Sequence, residues 1–214
     1  MNGAGMKKAA RTGDRGMSGL ARLGAVALMS AALGGCLGLG GGKVPPSLFS
    51  LTPVKSAAAG TEARGTSSNV LMVMEPETDR RLAVQRVPVQ VSTSEVAYLK
   101  NALWVERPAR LFRSLLAETL RAEGKGGLVL EDDQSAAPAS VRLGGRLVEM
   151  GYDARSQSAV VRYDALRTGP KGEVATRRFE SVVPGVSADP KSVAPALNRA
   201  ANEVAAQVAA WMGG

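Results

Sequence analysis

The 214-residue chain has a single cysteine, Cys36, which closes the run Leu33-Gly34-Gly35-Cys36 directly behind the largely apolar stretch from Leu23 to Leu33. One thiol cannot build a disulfide framework, so whatever folds here must stand on its hydrophobic core. Setting aside the 35 residues ahead of Cys36 leaves chain enough for one domain with a sizeable core. The formal charge of +8 is shared: residues 1–35 hold five basic groups and one acid, or +4, which leaves +4 for the rest. So mild an excess is not a nucleic-acid signature. Histidine is absent altogether, which removes the commonest general base and the commonest metal ligand and makes many enzyme classes improbable.

The N-terminal stretch has the three parts of a secretory signal. Lys7, Lys8, Arg11, Arg15 and Arg22 make the front basic, residues 23–33 supply the apolar core, and the small residues Gly34 and Gly35 precede Cys36. The core is roughly half of the ~20 residues a spanning helix needs, so it is expected to insert transiently rather than to stay. The pattern resembles a bacterial lipobox. In that pattern the thiol of the first mature residue is diacylglycerated, the signal is removed and the new amine is acylated. Residues 1–35 are then the signal peptide and Cys36 the lipidation site. Three acyl chains exceed the two signals that stable anchoring takes. An ordinary cleaved signal or a free buried Cys36 is the alternative. Asp14 and the long front are unusual in a signal, and starts at Met1, Met6 or Met17 all keep the pattern.

Behind Cys36, residues 36–46 carry a glycine run ended by Pro45-Pro46 and read as a flexible tether. The spacing fails for a phosphate loop, because Leu37 stands where a glycine is needed. Residues 47–214 then read as one folded domain. Ser47 to Leu51 is a short strand, 53–69 a polar loop, and Val70 to Glu75 an apolar central strand bounded by Pro76. Leu82 to Val91 contains Pro88 and is an edge or bulged strand. Two short strands, 96–99 and 102–106, flank Lys100-Asn101 as a tight hairpin. Pro108 opens a helix with Leu111, Phe112, Leu115, Leu116 and Leu120 on one stripe, and Gly124 stops it. Leu128 to Glu131 is a strand, followed by a meander over 140–153, 159–167 and 173–183. Gly144-Gly145 marks a bulge in the first of these three strands, and residues 168–172 form a turn between the last two. Asp189-Pro190 caps a last helix with the stripe Val193, Leu197, Ala200, Val204, Val208 and Trp211. The order predicts an α+β fold: a mostly antiparallel sheet covered on one face by two helices, a two-layer sandwich.

Little of this carries chemistry. Glu131, Asp132 and Asp133 read as a solvated turn rather than a metal or acid–base cluster, since no other ligand type lies near them. Arg80-Arg81 and Arg177-Arg178 read as solvated faces, with anionic head groups as the alternative. No G-x-S-x-G elbow occurs. Tyr98, Asn101 and Trp104 stand out in a chain that is only 4% aromatic, either as core or as an exposed contact patch.

The segment from Val96 to Pro108, with its Tyr-x-x-Asn-x-x-Trp spacing, together with the helix behind it, resembles the signature of the ABC-type transport auxiliary lipoproteins, the PqiC-like family. The strand from Leu71 to Pro76 and the opening Ser47 to Leu51 are similar as well, and the resemblance spans nearly the whole mature chain. It implies a non-enzymatic lipoprotein without cofactor or metal, lipid-anchored in the cell envelope and facing the periplasm, usually at the outer membrane. Leu37 after the modified cysteine fits that sorting. The partners implied are an MCE-domain protein with its ABC permease and ATPase, in a system that moves lipids between membranes, with a ring of identical subunits as the expected assembly. Cys36 carries over as the acylation site, and Tyr98, Asn101 and Trp104 as members of the signature segment, with partner contact as their expected role. An outer-membrane assembly or secretion accessory lipoprotein is the alternative.

Overall fold

The computed structural model describes residues 47–66, 69–124, 127–132 and 139–213. Cys36, the signal stretch and the tether lie outside the described residues. Residues 45–214 form a compact unit by themselves.

The sheet is built around β5 (Val141–Asp153), 13 residues long. One edge of β5 pairs antiparallel with β6 (Ser158–Thr168) from Arg142 to Asp153, and β6 pairs antiparallel with β7 (Val174–Val183). The other edge is shared between two short strands, both running parallel to it. β1 (Val70–Val73) holds the N-terminal end, through Leu71↔Val141 and Val73↔Leu143. β2 (Arg86–Gln90) holds the C-terminal end, through Val89↔Tyr152 and Gln90↔Asp153. Between them a single bridge joins Glu77 to Arg146. Outside β2 lies β3 (Val96–Leu103), antiparallel, and outside β1 lies β4 (Leu128–Glu131), parallel. All four residues of β1 are buried, as expected of a strand flanked by parallel neighbours and read as a continuous apolar run.

Two helices cover one face of the sheet and pack on each other. In α1 (Pro108–Glu123) a proline pre-set for the first turn starts the helix, and Gly124, at φ 65°, ends it in the left-handed region that suits glycine. The stripe Phe112, Leu115, Leu116 and Leu120 is buried, with the Phe112 ring edge-on to Tyr163 at 5.2 Å. Each such side chain contributes about 1.5–3 kcal/mol by leaving water. In α2 (Pro190–Met212) the Asp189 carboxylate accepts from the backbone N–H groups of Lys191 (2.9 Å) and Ser192 (3.1 Å). Those are two of the four amides that a helix start leaves unpaired. The buried alanines Ala196, Ala200, Ala201, Ala205 and Ala209 let α2 approach the sheet closely. The loop after Phe49 crosses the helices, its amides at Thr52 and Val54 donating to Asn198 and Asn202 at 2.8 Å each.

The α+β class with two helices on one face is what the structure has, and the sheet is mixed: the meander is antiparallel, while both neighbours of β1 are parallel to it. Three local expectations need correction, and one alternative is decided. The hairpin at Lys100-Asn101 does not form; β3 runs straight through, and the register passes from Arg86↔Leu103 to Pro88↔Tyr98, so residues 99–102 face Val87 alone. Pro88 has no N–H for the ladder, and Asn101 absorbs the surplus chain at φ 57°, a conformation asparagine tolerates. Residues 47–51 make only a single bridge, Phe49↔Trp104. β2 is bulged as one alternative held, but it lies inside the sheet rather than at its edge. The bulge in β5 sits between Leu147 and Glu149, not at the glycine pair. Gly145, at φ 124°, is there for close approach, since a Cβ on it would stand 2.0 Å from the Asp164 carbonyl oxygen of β6.

Candidate docking surface

The signature residues divide between the core and the surface of the β3 end. Trp104 is 1% exposed, edge-on to Phe49 at 5.7 Å, and the backbone clamps the pair: the Phe49 N–H donates to Leu103 O (2.7 Å) and the Val105 N–H to Phe49 O (2.8 Å). Of the two readings for this residue, core and contact patch, Trp104 takes the core. Its Nε1 is buried with no hydrogen-bond partner among the described residues. Tyr98 is half-buried, with the Arg86 guanidinium 4.2 Å above its ring, a cation–π pair worth about 0.5–1 kcal/mol where solvent reaches it. Asn101 and Lys100 are exposed at the crown of the bulge.

Three apolar side chains of the β3 region are part-exposed. Val96, Val105 and Leu48 are between 39% and 48% exposed. Leu48 precedes the residue bridged to Trp104 and Val105 follows Trp104, so these two flank the buried indole in sequence, while Val96 stands at the other end of β3 opposite Gln90. Of the aromatic residues here only Tyr98 reaches the surface, and tyrosine is a residue type enriched at protein contacts.

Behind the sheet lies a second constellation that the sequence did not announce. Arg113 of α1 is 3% exposed, and its guanidinium faces three carboxylates. Its Nε donates to Glu131 Oε2 at 3.2 Å, its Nη1 to Asp132 Oδ1 at 2.5 Å, and Glu75 Oε2 stands 3.9 Å away. Glu131, also buried, accepts from the Ser114 hydroxyl (2.9 Å) and from Arg121 (3.3 Å), while Glu75 pairs with Arg107 (3.2 Å). Glu131 and Asp132 are thus no solvated turn; Asp133 lies outside the described residues. The network ties α1 to the C-terminal ends of β1 and β4 and leaves no acid spare for proton transfer. Its signal in the sequence was faint: Arg113 directly follows a core phenylalanine, at the margin of the apolar stripe. Among the described residues no group of three or more His, Cys, Asp or Glu side chains is placed to hold a metal ion.

A mixed sheet backed by two helices, with an exposed bulge in β3 and a buried ion network tying α1 to β1 and β4, defines an α+β domain. The chain belongs to the ABC-type transport auxiliary lipoprotein component family, whose model matches residues 49–209. That family is a transport auxiliary component and not an enzyme family, and it places the protein in the cell envelope as a lipoprotein of an ABC transport system. Among solved structures the fold is similar to that of a Xanthomonas campestris protein assigned to the DUF330 family, at 19% identity and TM-score 0.65, covering 78% of this chain and 94% of that one. A second crystal structure, of an uncharacterized protein, is similar at 16% identity and TM-score 0.57, covering 78% and 97%. No curated protein matches the chain.

Proposed function

We propose that this protein is the lipid-anchored accessory subunit of an ABC system of the MCE type that moves lipids across the envelope. Residues 1–35 are its signal peptide, Cys36 the acylated residue, 36–46 a tether and 47–214 the docking domain, facing the periplasm from the outer membrane. The crown of β3 meets the MCE-domain protein of a complex that includes the permease and ATPase, with identical subunits arranged in a ring. The supporting observation is the family signature folded as a surface bulge over a buried tryptophan: Tyr98 and Asn101 are the contacting residues and Trp104 their footing.

The test is a pull-down of the detergent-solubilised lipoprotein from its native envelope, with mass spectrometry of proteins and lipids. Recovery of an MCE-domain protein with permease and ATPase is expected; recovery of a barrel protein, or of this chain alone, overturns the reading in favour of an assembly or secretion role. Asn101→Gly separates contact from folding, because glycine adopts φ 57° freely and only the side chain is lost. With Tyr98→Ala it is expected to weaken partner capture at least tenfold, about 1.4 kcal/mol, while Asn101→Gly leaves the thermal midpoint unchanged. Capture at wild-type affinity by both variants would remove the crown from the interface.

A further inference from the structure

Three strands of the sheet keep a free edge among the described residues: β3, β4 and β7. A free edge is a row of unpaired N–H and C=O groups ready to take another strand, and proteins blunt it by shortness, a bulge, lysine or proline. β4 has only four residues, and β3 is broken by the bulge that carries the exposed Lys100. β7 has none of these devices. Its ten residues pair with β6 in unbroken register and include neither proline nor lysine, and Val174 and Val182 are 65% and 47% exposed. We propose that β7 pairs edge to edge with β7 of a second copy, antiparallel about a two-fold axis at Phe179, so that two seven-stranded sheets become one. Such a contact closes on a pair. It is separate from the ring and uses none of the crown, so its failure would leave the docking reading untouched.

The backbone decides which groups are free. The Gly169 N–H donates to Glu173 O (2.7 Å) at the mouth of the β6–β7 hairpin, and antiparallel bonding alternates from there. Ala175, Arg177, Phe179, Ser181 and Val183 therefore bond inward to β6, while Val174, Thr176, Arg178, Glu180 and Val182 turn their N–H and C=O groups to the free edge. An axis at Phe179 sets Thr176 against Val182 and Arg178 against Glu180, each twice, in closely bonded positions. The pairing forms about eight backbone hydrogen bonds.

The side chains name the occupant. On the face away from the helices two ion rows cross the sheet. In one, Arg162 of β6 bonds Glu149 of β5 (2.8 Å) and Glu180 of β7. In the other, Asp164 of β6 accepts from Arg178 of β7 (2.6 and 2.7 Å) and stands opposite Arg146 of β5. Each row alternates in sign, so a strand that extends both offers a cation beside Glu180 and an anion beside Arg178, two residues apart. β7 itself carries that pattern. Arg178 of the second copy meets Glu180, Glu180 of the second copy meets Arg178, and both rows run on through the second sheet. The same register sets Arg177 against Ser181 and the β-branched Thr176 against Val182, with no like charges opposed. An axis at Arg177, Arg178 or Glu180 would instead set a charge against its own copy.

The test is disulfide trapping of the full chain in its native envelope. Two differently tagged copies, one with Thr176→Cys and one with Val182→Cys, are co-expressed, oxidised with copper phenanthroline and read on a non-reducing gel. The unsubstituted chain, whose one cysteine is Cys36, is the blank. Cα atoms of a bonded antiparallel pair stand about 5.5 Å apart, within disulfide reach. A mixed-tag dimer well above the blank is expected, with neither variant trapping itself. Arg178→Glu on both copies opposes like charges and is expected to cut the yield about fivefold, as is Glu180→Arg on both. Arg178→Glu on one copy with Glu180→Arg on the other restores opposite charges at both positions, and the yield is expected to recover. Each chain bears the same internal change in matched and mixed pairings, so recovery reports the contact and not the fold. The disulfide result stands without any charge variant. Absence of the mixed-tag dimer, equal trapping of Thr176→Cys by itself, or no recovery in the mixed charge pair while both variants stay folded would each overturn the proposal.

Discussion

Replacing Arg113 with methionine tests whether the buried network holds the fold together. Methionine keeps much of the stem and its packing but removes the cation facing Glu131, Asp132 and Glu75. Breaking a buried ion pair from one side costs about 3–5 kcal/mol, because the other charge is left in a poor solvent. Here the orphaned groups are partly provided for. Glu131 keeps Arg121 and the Ser114 hydroxyl, and Asp132, about a quarter exposed at its side chain, keeps the Glu75 backbone N–H at 2.9 Å. The expected loss therefore sits at the lower end, about 3 kcal/mol. In a urea titration with a slope of 1–3 kcal/mol/M the midpoint moves down by about 1–3 M. Adding Glu131→Leu removes the most deeply buried of the stranded acids, so the double variant should regain at least about 1 kcal/mol over Arg113→Met. A loss under about 1 kcal/mol for the single variant, or a double variant less stable than the single, would refute this account.

The two glycines of β5 should behave oppositely in thermal melts. Gly145→Ala combines a φ of 124° with a Cβ placed 2.0 Å from the Asp164 carbonyl, and is expected to cost about 3 kcal/mol or more from strain and overpacking together. Gly144→Ala meets only Met74, at ordinary contact distance, and should be neutral or stabilising by up to about 1 kcal/mol through the unfolded chain. Three aspartates contribute to the acid limb of stability. The hydrogen bonds from Arg178, Arg155 and Ser192 hold the carboxyls of Asp164, Asp153 and Asp189, respectively, below the ordinary carboxylate range. Because the folded values are depressed, their contribution is complete above the ordinary aspartate pKa of about 3.9 and is lost as pH falls below it toward the folded values. Denaturant midpoints measured from pH 7 to pH 2 should stay level to about pH 5 and then drop, and Asp164→Asn should flatten part of that drop.

The elements legible in the sequence were those that local chemistry determines. Asp189-Pro190 and Gly124 fixed helix ends because capping and left-handed φ are requirements of one or two residues. The stripes of α1 and α2 and the turn at 168–172 were visible for the same reason. What escaped was set by partners distant in sequence. Nothing in 96–106 says whether Lys100-Asn101 turns the chain or bulges it; the answer depends on Pro88 across the ladder and on Phe49 clamping Leu103 and Val105 from the far side. Likewise the glycine pair in β5 signalled an irregularity, but its meaning lay in how near Asp164 of β6 comes.

The same division runs through the candidate site. Tyr98, Asn101 and Trp104 could be singled out from spacing and rarity, yet spacing alone could not sort them, because burial is a property of the assembled layers. Trp104 points at Phe49 and into the core, whereas Asn101, three residues earlier, crowns the surplus loop of chain. That sorting changes what each residue can do for function. An indole buried against Phe49 in the core contributes rigidity, so its loss would be felt first as instability, about 3–5 kcal/mol for a tryptophan-to-alanine change. The exposed amide above it contributes no core packing and is free to be spent on a partner. The Arg113 network was missed for a related reason: Glu131 and Asp132 beside a turn look solvated until the helix that supplies their cation is laid across the ends of β1 and β4. The segment 96–108 thus mixes a residue that shapes the crown, Trp104, with one proposed to meet the partner, Asn101, and Asn101→Gly distinguishes the two because it removes the side chain while leaving the shape.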